Sequence, residues 1–300
     1  MEQLWTRAKG AFAVVLTPPA FWLLLFFLAP MAVIWAYSFG ENKDLTHVAL
    51  TGTFHNYFRA LEPLYLGIFL KSAIAAAITT GLCILVGFPV ALAITFAQPR
   101  TKSWLLLLIM LPFWTNLLIR TYALIAVLRN QGYVNFTYHW FFDRTNDLIT
   151  ALGMHPMGPF QPLDLLNNDF AVIFGLVYVN LPFMVLPLYS ALDRMDRSLM
   201  EASLDLGAGH LRTIMFVVVP LAAPGIASGV LITFIPALGA YLTPDLLGGP
   251  DSQMIANVIE RQFKVANDWP FGAALSFILM YLTFIAIAVQ AVIAKRTRTV

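Results

Sequence analysis

Side chains able to do chemistry are few in this 300-residue sequence, and most stand apart from one another. The five histidines, at 47, 55, 139, 155 and 210, are not paired at metal-ligand spacing, and neither H-E-x-x-H nor G-x-x-x-x-G-K-[ST] occurs. An enzymatic reading has no residues to stand on. Two other constellations remain. The stretch 193–212, DRMDRSLMEASLDLGAGHLR, places Glu201, Ala202, Ser203 and Asp205 just before Gly207 and Gly209. Mixed charge with interspersed Met195, Leu199, Leu204 and Leu206 suits a short amphipathic helix facing a protein partner, because an anionic lipid surface selects a face rich in Lys and Arg. The second set is Trp114, Tyr122, Tyr178, Asn180, Tyr241 and Asp245. It offers aromatic faces and a counter-charge to a cation, although Trp and Tyr also populate membrane interfaces.

The elements that must position these groups follow from composition. The chain is 59% hydrophobic and 11% charged, against roughly 45–50% apolar in soluble proteins. Its long uncharged runs are mostly sufficient for membrane helices, which need about 20 residues, and are too long and continuous for barrel strands. The sequence predicts an all-α integral membrane protein, a single domain over residues 1–300 with six transmembrane helices at about 12–39, 69–97, 104–128, 170–192, 214–236 and 271–294. Arg7 and Lys9 precede an apolar run about twice as long as a secretory h-region, so the first helix is expected to be retained. Cys83 lies within a span and reads as packing. A formal net charge of +2 leaves no basic domain for nucleic acid.

Loop charge sets the expected orientation. With cytoplasmic termini, the inner segments carry Arg7, Lys9, Arg100, Lys102, Arg194, Arg197, Arg212, Lys295, Arg296 and Arg298, and the outer loops carry Lys43, Arg59, Arg129, Arg144, Arg261 and Lys264. The excess of basic residues inside, in less sequence, supports this arrangement. Lys71 and Arg120 fall at the edge of span 2 and within span 3, and Arg120 is expected to pair with an acid or with helix carbonyls. The outer loops also hold most of the acids; solvated loops are usually charged, and a negative vestibule would also concentrate a cation. None of the six spans has an interior Asp or Glu, which disfavours self-powered proton coupling and assigns the energy source to another subunit.

Three outer loops, 40–67, 129–168 and 245–268, and two inner ones, 98–102 and 193–212, join the spans. Gly153, Pro156, Gly158, Pro159 and Pro162 predict an irregular stretch in the second outer loop. Pro236, Gly239, Pro244, Gly248 and Gly249 interrupt the fifth span at membrane depth, where freed backbone must line a cavity or be covered by protein. Gly225 and Gly229 form a small-xxx-small pair that lets helices approach closely. In the inner loop, Gly207 and Gly209 predict a hinge between two short helices.

The segment Glu201-Ala202-Ser203, three residues, Gly207, nine residues, Val217, one residue, Val219-Pro220 resembles the EAA loop, E-A-A-x3-G-x9-I-x-L-P, of permease subunits of binding-protein-dependent ABC importers. The segments LPFWTNLLIRTYALIAVLRNQGYVN from Leu111, GLVYVNLPFMVLPLYSALDRMD from Gly175, and FIPALGAYLTPDLLGGPDSQMIANVIERQF through NDWPFGAA are similar to the first permease subunit of spermidine/putrescine importers. The resemblance implies a type I ABC importer permease fold in a bacterial inner (plasma) membrane. Glu201, Ala202, Ser203, Asp205 and Gly207 would seat against an ATPase dimer, which holds the ATP and magnesium; no cofactor is expected in this chain. A second permease subunit, an extracellular or periplasmic solute-binding protein, membrane lipid and a small cationic substrate would be the other partners. Of the six pathway candidates, the resemblance adds support to Trp114, Tyr241 and Asp245 alone. The alternatives are an importer for another small organic solute, such as an amino-phosphonate, or a self-sufficient secondary carrier or channel.

Overall fold

The computed structural model describes residues 9–44, 47–153, 155 and 158–297. Arg7, Arg298 and Pro156, used in the sequence reading, lie outside them. Among the described residues the regular elements are helices and one hairpin. In order the chain runs α1 (Lys9–Leu23), a π turn (Leu24–Leu28), α2 (Ala29–Tyr37), β1 (Glu41–Asp44), β2 (His47–Ala49), α3 (His55–Ala60), α4 (Pro63–Phe96), α5 (Pro99–Met110) and a 3-10 turn (Leu111–Trp114). There follow α6 (Leu117–Leu128), α7 (Tyr133–Ala151), α8 (Asp169–Asp193), α9 (Ser198–Asp205), α10 (His210–Thr213), a π turn (Ile214–Val218) and α11 (Val219–Leu238). The chain then forms α12 (Leu242–Leu247), a 3-10 turn (Pro250–Ser252), α13 (Ile255–Lys264) and α14 (Trp269–Thr297).

Among the described residues five helices are long and apolar enough to cross a membrane, and a bent pair supplies a sixth if counted as one span. That pair is the difference from the sequence reading. The run 104–128, expected as one helix, is two arms, Pro99–Trp114 and Leu117–Ala151, bent by 96°. The cause is local. Pro112 tightens the last turn to 3-10, Thr115 is extended, and Asn116 caps the next helix with its side chain accepting from Leu118 N–H at 2.8 Å. The second outer loop also holds more structure than expected: the 19-residue α7 occupies its first half. No regular element follows among the described residues of 152–168, as the Gly/Pro content predicts.

Both π turns precede a proline, Pro30 and Pro220. A proline ring clashes with the carbonyl four residues back and removes that hydrogen bond, so a widened turn relieves it.

One compact unit consists of Gly67–Val258 and Ile285–Val300. Its core joins Cys83, Ala91 and Ile94 of α4 to Met184, Val185, Leu188 and Leu192 of α8 and to Val218 and Ala222 at the start of α11. Helices α8 and α11 form its most extensive contact. A Cβ on Gly225 would lie 2.5 Å from Ala191 Cβ, and one on Gly229 would lie 2.7 Å from Met184 Sδ, so the small pair permits the close packing expected of it.

The other unit consists of the chain up to Leu66 and Ile259–Phe284. Asp268 organises it. Its carboxylate accepts from Arg59 at 2.7 Å, from Asn42 at 3.2 Å and from Phe271 N–H at 3.3 Å, opening α14. The Arg59 guanidinium lies 3.8 Å over the Phe271 ring. The first span, Phe12–Tyr37, has none of its apolar window buried by the rest of the chain.

Candidate functional site

The inner loop is a built element. Asp196 accepts from Ser198 N–H at 3.0 Å at the entry to α9. That backbone bond, with the Ser198 hydroxyl, holds the Asp196 carboxyl below the usual carboxylate range. At the other end, Ala208 N–H donates to Ser203 O at 3.1 Å and Gly207 N–H to Leu204 O at 2.9 Å. These two bonds are the Schellman pattern, which needs a left-handed residue at its turn. Gly207 supplies it with φ +83°. Gly209 is extended and starts α10, and the Ser203 and Thr213 hydroxyls, 3.0 Å apart, close the two short helices on each other. The bend expected between the two short helices is this Schellman turn.

The same element presents a defined outer surface. Glu201, Ala202 and Asp205 are exposed, and so are Leu206 (89%) and Leu211 (75%). These leucines stand exposed among charged side chains of the same element. Behind it, Arg197 donates to Thr95 O at 3.2 Å and lies 5.4 Å over the Phe96 ring, at the end of α4. Lys102 of α5 is paired with Asp193 at the end of α8 and lies over Tyr189. Sequence reading did not single out these ties, since each joins positions about 90 to 100 residues apart.

Five of the six pathway candidates, all but Trp114, lie on three elements that meet. Short helix α12 packs on both α6 and α8. Tyr122 on α6, Tyr178 on α8, and Tyr241 and Asp245 at the start of α12 are exposed, as is Trp114 (76%), which ends the first arm of the bend. Asn180 differs. It is buried (3%) with its amide donating to Leu176 O at 2.8 Å, inside the helix packing rather than on an open face.

The fifth span breaks where the sequence predicts, at Gly239, before α12. Asn257, missed by the sequence reading, repairs the break: its Nδ2 donates to Tyr241 O at 2.7 Å and its Oδ1 accepts from Met254 N–H at 3.2 Å. Arg120 does not make the expected pair. Its Nε and Nη1 are buried with no hydrogen-bond acceptor among the described residues, and its guanidinium lies 5.8 Å from the Phe113 ring centroid.

Residues 8–299 match the family described as binding-protein-dependent transport system inner membrane component. The chain belongs to that family. This member is 40% identical over 258 residues to the spermidine/putrescine transport system permease protein PotB of Escherichia coli (strain K12), covering 86% of this chain and 88% of that one. It is 37% identical over 268 residues to PotB of Haemophilus influenzae, covering 89% and 88%. Its fold matches a chain in the crystal structure of a bacterial alginate ABC transporter in complex with an alginate pentasaccharide-bound periplasmic protein, with TM-score 0.69, 17% identity and 98% of each chain covered. The protein is a multi-pass inner-membrane permease subunit of an ABC importer, and its all-α architecture is the importer permease fold.

Proposed function

We propose that this permease imports polyamines, forming half of a translocation pathway with a second permease subunit and receiving its solute from a periplasmic binding protein. The observation that carries the reading is identity of about 40% along most of the chain to permeases named for spermidine and putrescine. Exposed Trp114, Tyr122, Tyr178, Tyr241 and Asp245 support it, since aromatic faces and a carboxylate suit an oligocation. ATP and magnesium belong to a cytoplasmic ATPase dimer. Glu201, Ala202, Asp205 and the turn at Gly207 form the surface that dimer grips, with Ser203 bracing it from behind, and both chain termini lie on the same cytoplasmic side. Motion of the ATPase passes through Arg197 to α4 and through the Asp193–Lys102 pair to α5.

ATP-dependent uptake of labelled spermidine and putrescine by the reconstituted complex, with its binding protein, tests the reading. No uptake of either would overturn the substrate assignment. The buried Arg120 guanidinium favours a second reading, an anionic or zwitterionic solute. An amino-phosphonate transported in place of the polyamines would establish it.

A further inference from the structure

Lys71 belongs to none of the motifs above, yet it occupies a built pocket. Its ammonium donates to the Asp251 carbonyl at 2.5 Å and stands 3.0 Å from Asp169 Oδ1. Ser252 lines the same pocket beside Asp169. Next along α4, Ser72 accepts from Ile255 N–H at 2.8 Å, so consecutive residues of one helix fasten the segment that follows the broken fifth span. A cavity of about 100 Å³ adjoins the ammonium, walled by Ile74, Ile78, Val172, Ile173 and Met254. At ~30 Å³ per water, this is space for a few heavy atoms. It suits one end of a solute.

The lining has two chemistries. A carboxylate and a backbone carbonyl stand at one side and branched apolar side chains at the other, which is what a primary ammonium on a methylene chain requires. Lys71 is itself such a group: its side chain is an n-butylammonium, and diaminobutane is the same chain with an ammonium at each end. We propose that this pocket binds the alkylammonium end of the transported solute, with Lys71 as a tethered occupant that the incoming ammonium displaces. The assignment rests on the polyamine reading and gives it a site.

Displacement is feasible because the pair is weakly held. The Lys71 and Asp169 side chains are 38% and 58% exposed, and ion pairs this open are screened and contribute little to stability. The solute ammonium would take over the same acceptors, so no buried polar group is left unpaired at the exchange. Release of Lys71 leaves the segment around Asp251 held to α4 through the Ser72–Ile255 bond. Arrival of a cation would thereby loosen the strand of chain beside the broken helix.

The test uses the whole importer in lipid nanodiscs without binding protein, and follows its thermal unfolding midpoint against putrescine, n-butylamine and, as a control without N–H donors, tetramethylammonium at equal ionic strength. The Lys71→Ala complex should show a saturable rise of several degrees with either primary amine and none with the control. Wild type should need at least threefold more amine for the same rise, and adding Asp169→Asn to the alanine variant should abolish it. Equal responses in wild type and Lys71→Ala, or a response that survives Asp169→Asn, would overturn the site. Lys71→Gln, which keeps a donor toward the Asp251 carbonyl, serves if the alanine variant does not assemble. Polyamine uptake by wild type with no amine response in either Lys71 variant rejects the pocket alone. The expected response in a complex that takes up no polyamine rejects the transport reading and keeps the pocket.

Discussion

Arg197 reaches from the entry of the inner loop to the carbonyl of Thr95, 3.2 Å away, where α4 ends. A hydrogen bond from a charged donor contributes about 1.5–3 kcal/mol, enough to make loop and helix move together under a modest load. Arg197→Ala should leave the complex assembled and hydrolysing ATP while uptake per ATP falls by about tenfold. Parallel loss of hydrolysis and uptake would show that Arg197 maintains the loop rather than transmitting through it.

Gly207 makes a sharper prediction. Its φ of +83° is a conformation that costs L-residues roughly 1–2 kcal/mol and β-branched ones more. Gly207→Val should disrupt the Schellman turn and abolish stimulated ATP hydrolysis, whereas Gly207→Asn, which tolerates the left-handed region, should retain most of it. Normal coupling in the valine variant would remove the turn from the mechanism.

The repair of the broken span can be dissected at one side chain. Asn257→Ala removes one of the two donors to the Tyr241 carbonyl, which keeps the Asp245 N–H, and leaves the Met254 amide without its Asn257 acceptor, at about 1–3 kcal/mol for a group left buried and unsatisfied. Asn257→Asp keeps the acceptor and loses the donor, so its loss of thermal stability should fall between wild type and alanine. The midpoint of the purified complex is the measurement, and equal effects of the two changes would contradict this division.

Arg120→Met replaces a buried guanidinium, two of whose nitrogens lack acceptors, with an apolar chain of comparable length. Such replacements are neutral or stabilising when the charge is unpaired. The isolated subunit should keep or raise its unfolding midpoint. A fall confined to the assembled complex would reveal an acceptor donated by another subunit.

The inner loop also sets a pH expectation. Because Ser198 lowers the Asp196 pKa in the folded state, the stabilisation is complete above the unfolded carboxylate value of about 3.9 and is lost as pH falls through the lower folded value. Coupling efficiency should thus be flat between pH 6 and 8 as far as this turn is concerned. Asp196→Ala should reduce it equally across that range, and a reduction confined to one end would implicate another group.

Much of the architecture was legible because it is written in local signals. Gly207 and Gly209 marked the turn, Gly225 and Gly229 the close packing, and Gly239 with its flanking prolines the break. The bend at Thr115 was hidden by uninterrupted apolar character, although Pro112 and Asn116 carried the clue. Helix α7 was masked because its loop was judged by the prolines and glycines that follow it. Asn180 looked like a pathway residue because a polar group in an apolar run attracts a functional reading, yet its own helix carbonyl satisfies it. Arg197 with Thr95, and Lys71 with Asp169, were beyond reach for a different reason: tertiary pairing brings them together, and one sequence does not record it.

The first span has none of its apolar window covered by its own chain, and near its C-terminal end Trp35 donates to the Tyr281 hydroxyl at 3.1 Å. A rod fastened at one tip and bare along its shaft answers to whatever surrounds it. Its side chains are therefore selected by acyl chains or a neighbouring polypeptide, and can drift in evolution without disturbing the interior of the fold.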